Sequence, residues 1–114
     1  MRILITAPDR DLLDSLRALL TLNGWEVDVA HDGVGATGKA RTVKYDAALV
    51  DEKTPLIRSG DLVRELEASG VPAILMTENA GAVGDAVIKY PFGPDELISA
   101  IEKVVRGKEK VKDE

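Results

Sequence analysis

The chain has 114 residues, a length that fits one folded domain with a single hydrophobic core. Hydrophobic residues make up 45% and charged residues 31%, a balance typical of globular proteins rather than disordered ones. The net charge of −5 argues against a nucleic-acid partner, and the lack of cysteine excludes disulfide bonds and thiolate-held zinc.

The opening segment predicts a strand followed by a helix. The apolar run RILITA (2–7) breaks at Pro8, too early for the apolar core of a signal peptide, and no later run reaches membrane-spanning length. We therefore expect a cytoplasmic location and no membrane partner. Asp9 or Asp11 can cap the helix that follows. Its apolar positions fall at helical spacing: Leu12, Leu13, Leu16, Leu19 and Leu20.

The second and third predicted strands differ in their patterns of burial. WEVDVA (25–30) alternates apolar and charged residues, which is typical of a strand near a sheet edge. After a turn at 31–33, residues 34–43 predict a short helix that its glycines weaken. YDAALVD (45–51) is a continuous apolar run that ends on Asp51, which indicates a central parallel strand buried on both faces.

The remaining segments continue the alternation of strands and helices. They are the helix GDLVRELEASG (60–70), the strand VPAILMT (71–77), the short strand AVIK (86–89) and the helix GPDELISAIEKVVRG (93–107). Only ENAGAVGD (78–85) separates the last two strands, whereas a helical crossover needs about a dozen residues. We therefore predict an α/β fold, a doubly wound five-stranded parallel sheet of the (βα)5 type with the fourth helix missing or much shortened.

The end of the chain carries charges of both signs that nearly cancel. We interpret residues 108–114 as a charged, flexible and solvated tail. Residues 1–107 then form the one folded domain.

Five segments, in this order, resemble the receiver domains of two-component response regulators. They are ILITAPDRDLLDSLRALL, GWEVDVAHDG, YDAALVDEKTP, GVPAILMT and KYPFGPDELISAIEKVV, and they cover nearly the whole chain. The resemblance implies a flavodoxin-like fold and a function in two-component or phosphorelay signal transduction. It also implies a protein partner, either a histidine kinase or a downstream signalling protein, and a signalling module rather than an enzyme.

The resemblance further implies a phosphoryl site at the carboxyl ends of the strands. The phospho-acceptor aspartate of the family corresponds to Asp51, and the switch hydroxyl that contacts the phosphoryl group corresponds to Thr77. The acidic pair that holds magnesium in the family corresponds to Ala7 and Pro8, whose side chains cannot bind a cation. Asp9 and Asp51 are then the carboxylates left to hold a metal.

The fifth strand departs from the family's Lys-Pro ending, because IKYPF inserts Tyr90 between Lys89 and Pro91. Neighbouring side chains on a strand face opposite ways, so Lys89 and Tyr90 cannot both face Asp51. If Pro91 keeps its usual place, Tyr90 occupies the register of the family's lysine and Lys89 is displaced from the site.

Two charged residues follow Asp51. Glu52 adds negative charge, although the alternation along the strand predicts that its side chain points away from Asp51. Lys53 could turn back and pair with Asp51, which would put a permanent ammonium in place of the metal ion.

Three functions stay open at this point. A degenerate receiver, or pseudo-receiver, would bind a protein partner without magnesium-dependent phosphorylation and would need no cofactor. A working receiver with a rebuilt site would be phosphorylated on Asp51, with Asp9 helping to hold magnesium. An unrelated small enzyme or ligand binder is disfavoured, because the first turn has no glycine to cradle a phosphate.

The last third of the chain contains the predicted interaction surface. In the family, the fourth helix, fifth strand and fifth helix often form the face that signals or dimerises. The short connection would leave Val83 and Tyr90 less covered, and exposed apolar patches tend to mark interfaces. We therefore expect a partner-bound state or a homodimer through residues 78–105.

Overall fold

Strands and helices alternate along the chain, as the sequence predicted. The structure, a computed structural model, describes residues 1–82 and 86–112, with side chains described as far as residue 108. The strands are β1 (Arg2–Thr6), β2 (Glu26–Ala30), β3 (Ala47–Asp51), β4 (Ala73–Thr77) and β5 (Val87–Lys89). The helices are α1 (Arg10–Leu22), α2 (Gly33–Thr42), α3 (Ser59–Ala68) and α4 (Pro94–Lys112). None of these described helices combines the length and the hydropathy needed to cross a membrane.

The strands pair in parallel in the order β2-β1-β3-β4-β5, which confirms the predicted doubly wound sheet. β3 lies at the centre and all of its residues are buried, in agreement with its continuous apolar run. β2 lies at one edge, as its alternating pattern predicted. The strand order reverses between β1 and β3, so their carboxyl ends lie where a sheet of this type forms its ligand crevice.

Each face of the sheet packs against its own pair of helices. The face that carries Leu49 of β3 is covered by α1 and α4, and the face that carries Val50 is covered by α2 and α3. By alternation, Asp51 lies on the same face as Leu49, at the edge of the α1/α4 cluster. Large buried residues of that cluster are Ile3, Ile5, Leu13, Leu20, Ile74, Leu97 and Ile101.

The connection between β4 and β5 has no helix in its described part, residues 78–82 and 86, in agreement with the predicted loss of the fourth helix. A tight turn takes its place: the Ala82 N–H donates to the Asn79 carbonyl oxygen at 3.1 Å, and the Gly81 N–H donates to Asn79 Oδ1 at 3.0 Å. Val83, which we expected to be less covered, lies outside the described residues.

The loop between β3 and α3 packs on the first turn of α2. The Gly33 N–H donates to the Pro55 carbonyl oxygen at 2.9 Å, and Ile57 lies so close that a Cβ atom on Gly33 would be 2.6 Å from the Ile57 Cβ. Leu56, between these two loop residues, adopts a left-handed backbone with φ 76° and has a side chain that is 73% exposed.

The last helix continues past Gly107, where the sequence predicted its end, to Lys112. Lysine and glutamate are good helix formers, so nothing in residues 108–112 stops it. The Lys108 ammonium also donates to the Gly70 carbonyl oxygen beyond α3. The division into a domain at 1–107 and a flexible tail at 108–114 stays a prediction, because residues 113–114 lie outside the described part.

Candidate functional site

Asp51 ends the central strand and is 6% exposed. Both of its carboxylate oxygens accept a hydrogen bond from the protein. The Tyr90 hydroxyl donates to Oδ1 at 2.7 Å, and the Lys53 backbone N–H donates to Oδ2 at 2.9 Å. Burial of a carboxylate is tolerated when donors of this kind satisfy it, and each oxygen of Asp51 has one donor here.

Tyr90 faces Asp51 and Lys89 faces away, as the alternation along β5 predicted. The Tyr90 ring is half-buried against the α1/α4 cluster and stacks on Phe92, with ring centroids 5.2 Å apart. The Lys89 ammonium donates instead to the Ala80 carbonyl oxygen at 2.7 Å. The residue over the aspartate is therefore a neutral phenol, and the lysine holds the β4–β5 loop.

Both tyrosines of the chain have hydroxyls bound to an aspartate. Burial raises the pKa of the Tyr90 phenol, and the hydrogen bond and negative charge of Asp51 raise it further. The Tyr45 hydroxyl donates to Asp28 Oδ2 at 2.7 Å, and its pKa is raised first by burial and then by Asp28. Ionisation of either phenol would place two negative charges side by side.

We expect neither tyrosine to ionise as the pH passes through the ordinary value of about 10. The folded pKa of each phenol lies above the unfolded one, so its contribution to stability is complete below pH ~10 and is lost as the pH rises above it. A near-ultraviolet absorbance titration should show phenolate only at higher pH, together with unfolding. A tyrosine that titrates normally in the folded protein would show that these hydrogen bonds do not form.

Thr77 ends β4 with its side chain buried, and its hydroxyl contacts the loop after β4 rather than Asp51. Its Oγ1 accepts from the Asn79 N–H at 3.0 Å. Glu52 accepts from the Glu78 backbone N–H. Glu52 thus points away from Asp51, as predicted, and its pKa is lowered chiefly by the Glu78 hydrogen bond.

The first turn does not offer the carboxylates that a magnesium ion prefers. Ala7 is fully buried, and Asp9 caps α1, its Oδ1 accepting from the backbone N–H groups of Asp11 at 2.9 Å and Leu12 at 3.5 Å. Among the side chains that the structure describes, no three or more of His, Asp or Glu form a cluster that could hold a metal ion. Mg²⁺ takes a near-octahedral set of oxygen ligands that includes carboxylates free to bind it. Asp9 and Asp51 are already engaged in hydrogen bonds, so these two residues do not fit the ion.

The ion pair considered between Lys53 and Asp51 does not form in this structure. Lys53 is exposed, and the ion pairs within the described part of the chain are those of Arg2 with Asp28 and Arg64 with Asp61. The chain turns sharply after β3, so the Lys53 backbone N–H, rather than its ammonium, reaches the carboxylate.

Thr54 belongs to the site but was missed in the sequence. Its hydroxyl is buried, and Oγ1 lies 2.7 Å from the Asp51 carbonyl oxygen and 3.3 Å from the Thr6 carbonyl oxygen. It therefore joins the carboxyl ends of β3 and β1 beside the aspartate. A hydroxyl residue three positions after a strand end is a known turn signal, and it was available in the sequence.

No family model matches the chain. Among curated relatives, response regulators MprA are 31% identical over 119 residues in Mycobacterium avium and 30% identical in Mycobacterium tuberculosis. These alignments cover 93% of this chain and 51% of each relative. The chain therefore spans about half the length of the curated relatives it matches.

Solved structures extend the similarity to the fold. A CheY-like response regulator receiver domain protein from Methanospirillum hungatei has a TM-score of 0.83 at 25% identity, over 96% of each chain. The receiver domain of a sensor histidine kinase from Pseudomonas aeruginosa, which has magnesium coordinated in its active site cleft, has a TM-score of 0.80 at 26% identity. That match covers 91% of this chain and 96% of the other.

Proposed function

The chain is a response-regulator receiver domain of the CheY-like type, and we propose that it is a pseudo-receiver, a signalling module that is not switched by magnesium-dependent phosphorylation. Receiver domains of this family act in two-component signalling. The proposal is that this one acts there through protein–protein contacts and not as an enzyme.

The observation that carries the proposal is the hydrogen bond of 2.7 Å from the Tyr90 hydroxyl to Asp51 Oδ1. Phosphoryl transfer to a carboxylate needs a free attacking oxygen and cations that offset the charge on the phosphoryl oxygens. Tyr90 engages one oxygen and covers the aspartate with an uncharged ring. Lys89, which could have supplied a positive charge, is engaged with Ala80.

The polar groups around Asp51 support the same proposal. The second carboxylate oxygen accepts from the Lys53 N–H, and Asp9 is engaged as the cap of α1. A phosphoryl group on Asp51 would replace the single negative charge of the carboxylate with about two, next to a phenol, and Lys89, the cation nearest in sequence to Tyr90, is engaged with Ala80. Attachment of that group would also require the Tyr90 ring to leave its position against Phe92.

The alternative is a working phospho-acceptor with a rebuilt metal site. Asp51 and Thr77 support it, because both residues stand at the strand ends where the family's acceptor and switch hydroxyl lie. In that case Tyr90 must swing away from Asp51, and Asp9 must give up its cap to reach a magnesium ion. Both changes break hydrogen bonds that the folded domain contains.

A protein partner, either a histidine kinase or a downstream signalling protein, completes the proposed function, with the cytoplasm as its proposed location. Two large apolar side chains are exposed near the loop that packs on α2, namely Leu56 at 73% and Val34 at 58%. Exposed apolar groups of this kind favour a protein contact. A homodimer through residues 78–105 remains a second proposal for the contact surface.

The proposal is tested by mass spectrometry after incubation with a small phosphoryl donor, such as phosphoramidate or acetyl phosphate, and magnesium. We expect the mass of the protein to stay unchanged under conditions that phosphorylate a working receiver domain treated in parallel. The Asp51→Asn variant is the matched control. A mass gain of one phosphoryl group that this variant lacks would establish the alternative.

A further inference from the structure

We propose that a cleft between the last turns of α2 and α3 binds a small organic phosphate. The cleft has a volume of about 360 Å³. Tyr45 and Val71 line it and come just before β3 and β4, so it lies at the amino-terminal ends of these strands. Asp51 ends β3 at the opposite edge of the sheet. The proposed site is therefore a second one, and it goes beyond the function proposed for the domain.

Among the described residues, three cationic side chains line this cleft and no carboxylate does. Arg41 lies in the last turn of α2, and Lys44 follows that helix. Neither of these two side chains forms a hydrogen bond or an ion pair within the described part of the chain. Lys108 reaches across from α4, and its ammonium donates to the Gly70 carbonyl oxygen, which leaves it further N–H donors.

This positive charge is local, because the chain as a whole has a net charge of −5. Glu65 and Glu67 of α3 line neighbouring depressions beside Arg41 and Lys108. Neither glutamate lines the cleft or forms an ion pair with these cations. A cleft lined by charges of one sign concentrates ligands of the opposite sign, so this one favours an anion.

The floor of the cleft is apolar. Tyr45 and Val71 are buried there, and Ala40 and Val43 are half-buried. The Tyr45 hydroxyl donates to Asp28, so this residue has no free hydroxyl donor to offer a ligand. Small-molecule sites combine an apolar lining with a few polar groups, at volumes of roughly 300–1,000 Å³. The arrangement fits a molecule whose apolar body contacts the floor and whose phosphate group binds the cations.

The walls of the cleft are held by bonds within the chain. The Thr42 hydroxyl donates to the Lys39 carbonyl oxygen at 3.3 Å, and the Ser69 hydroxyl donates to the Glu65 carbonyl oxygen at 3.1 Å. Both hydroxyls are therefore used inside their own helices. The phosphate group would be bound by the cationic side chains and not by these hydroxyls.

The test is an amide NMR titration of the whole chain with phenyl phosphate, in the absence of magnesium. We expect saturating shifts at Lys44, Ser69 and Gly70 and none at Asp51, with a dissociation constant on the order of 1 mM. Inorganic phosphate and phenol, titrated separately, should each bind more weakly, because each offers only one of the two parts of the ligand.

Lys44→Gln should weaken the binding of phenyl phosphate about fivefold, because it removes one of the charge-assisted contacts. Lys39→Gln is the matched control. Lys39 is exposed and also lies in the last turn of α2, but it does not line the cleft. Its substitution should leave the affinity unchanged.

Phosphate groups also occur on lipids, so the protein is sedimented with phosphatidylglycerol vesicles as well. We expect it to stay in solution. Sedimentation with the vesicles that Lys44→Gln abolishes would assign the cleft to a lipid headgroup and overturn the proposal of a free ligand.

The site would also be overturned if phenyl phosphate gave no saturating shifts, if it bound no more tightly than inorganic phosphate, or if Lys39→Gln weakened it as much as Lys44→Gln. The pseudo-receiver proposal is decided separately, because it fails only if Asp51 accepts a phosphoryl group.

Discussion

Replacing Tyr90 with phenylalanine should lower the free energy of unfolding by about 2 kcal/mol, the range for a hydrogen bond to a charged group. The variant keeps the ring that packs near Phe92 but leaves one oxygen of the buried Asp51 carboxylate without its donor. Urea denaturation would measure this loss, and the m-value should equal that of the unsubstituted protein.

A double-mutant cycle supplies the control for this prediction. In an Asp51→Ala background the Tyr90→Phe change has no carboxylate to affect, so it should cost little. The coupling energy between the two positions should be about 1–2 kcal/mol. An equal loss in both backgrounds would mean that the tyrosine hydroxyl stabilises the fold by some route other than Asp51.

Replacing Gly33 with alanine should destabilise the domain by about 2 kcal/mol, because the added methyl group would overlap with Ile57. The added Cβ would lie 2.6 Å from the Ile57 Cβ, which cannot move without the loop backbone, and 2.8 Å from the Ile57 Cγ1. Relief of the overlap would also strain the hydrogen bond from the Gly33 N–H to Pro55.

The same helix offers a matched control at Gly38, where an added Cβ would meet no atom within 4 Å. Gly38→Ala should therefore raise the free energy of unfolding by roughly 0.5–1 kcal/mol through helix propensity alone. The midpoints of thermal or urea unfolding of the two variants should shift in opposite directions from that of the unsubstituted protein. If Gly33→Ala proves as stable as Gly38→Ala, the loop does not pack on α2 as described.

Sequence periodicity, together with the family position of Pro91, predicted which way the site residues face. The continuous apolar run before Asp51 indicated a central strand, and alternation along β5 meant that Lys89 and Tyr90 could not both face the aspartate. The choice of Tyr90 came from the place of Pro91 in the receiver family, and the structure agrees with it. These predictions succeed because side-chain direction on a strand depends only on position along it.

Contacts between segments distant in the sequence could not be predicted in the same way. The hydrogen bond from the Glu78 N–H to the Glu52 carboxylate depends on where one strand ends against its neighbour. The close approach of Gly33 and Ile57 depends on the path of a loop, which no periodic pattern encodes. Pairing of Asp51 with the Lys53 ammonium was one arrangement that the sequence allowed, whereas the turn brings the Lys53 backbone N–H to the carboxylate instead.

The central claim, that the domain does not bind magnesium or a phosphoryl group at Asp51, is tested most directly by an amide NMR titration. Magnesium is added first, and beryllofluoride follows as a mimic of the phosphoryl group. We predict no saturable shifts at Asp51, Asp9 or Thr77 in either step. Saturating shifts centred on these residues that spread into the described loop residues 78–82 and β5 would contradict the account and identify a rebuilt, working switch.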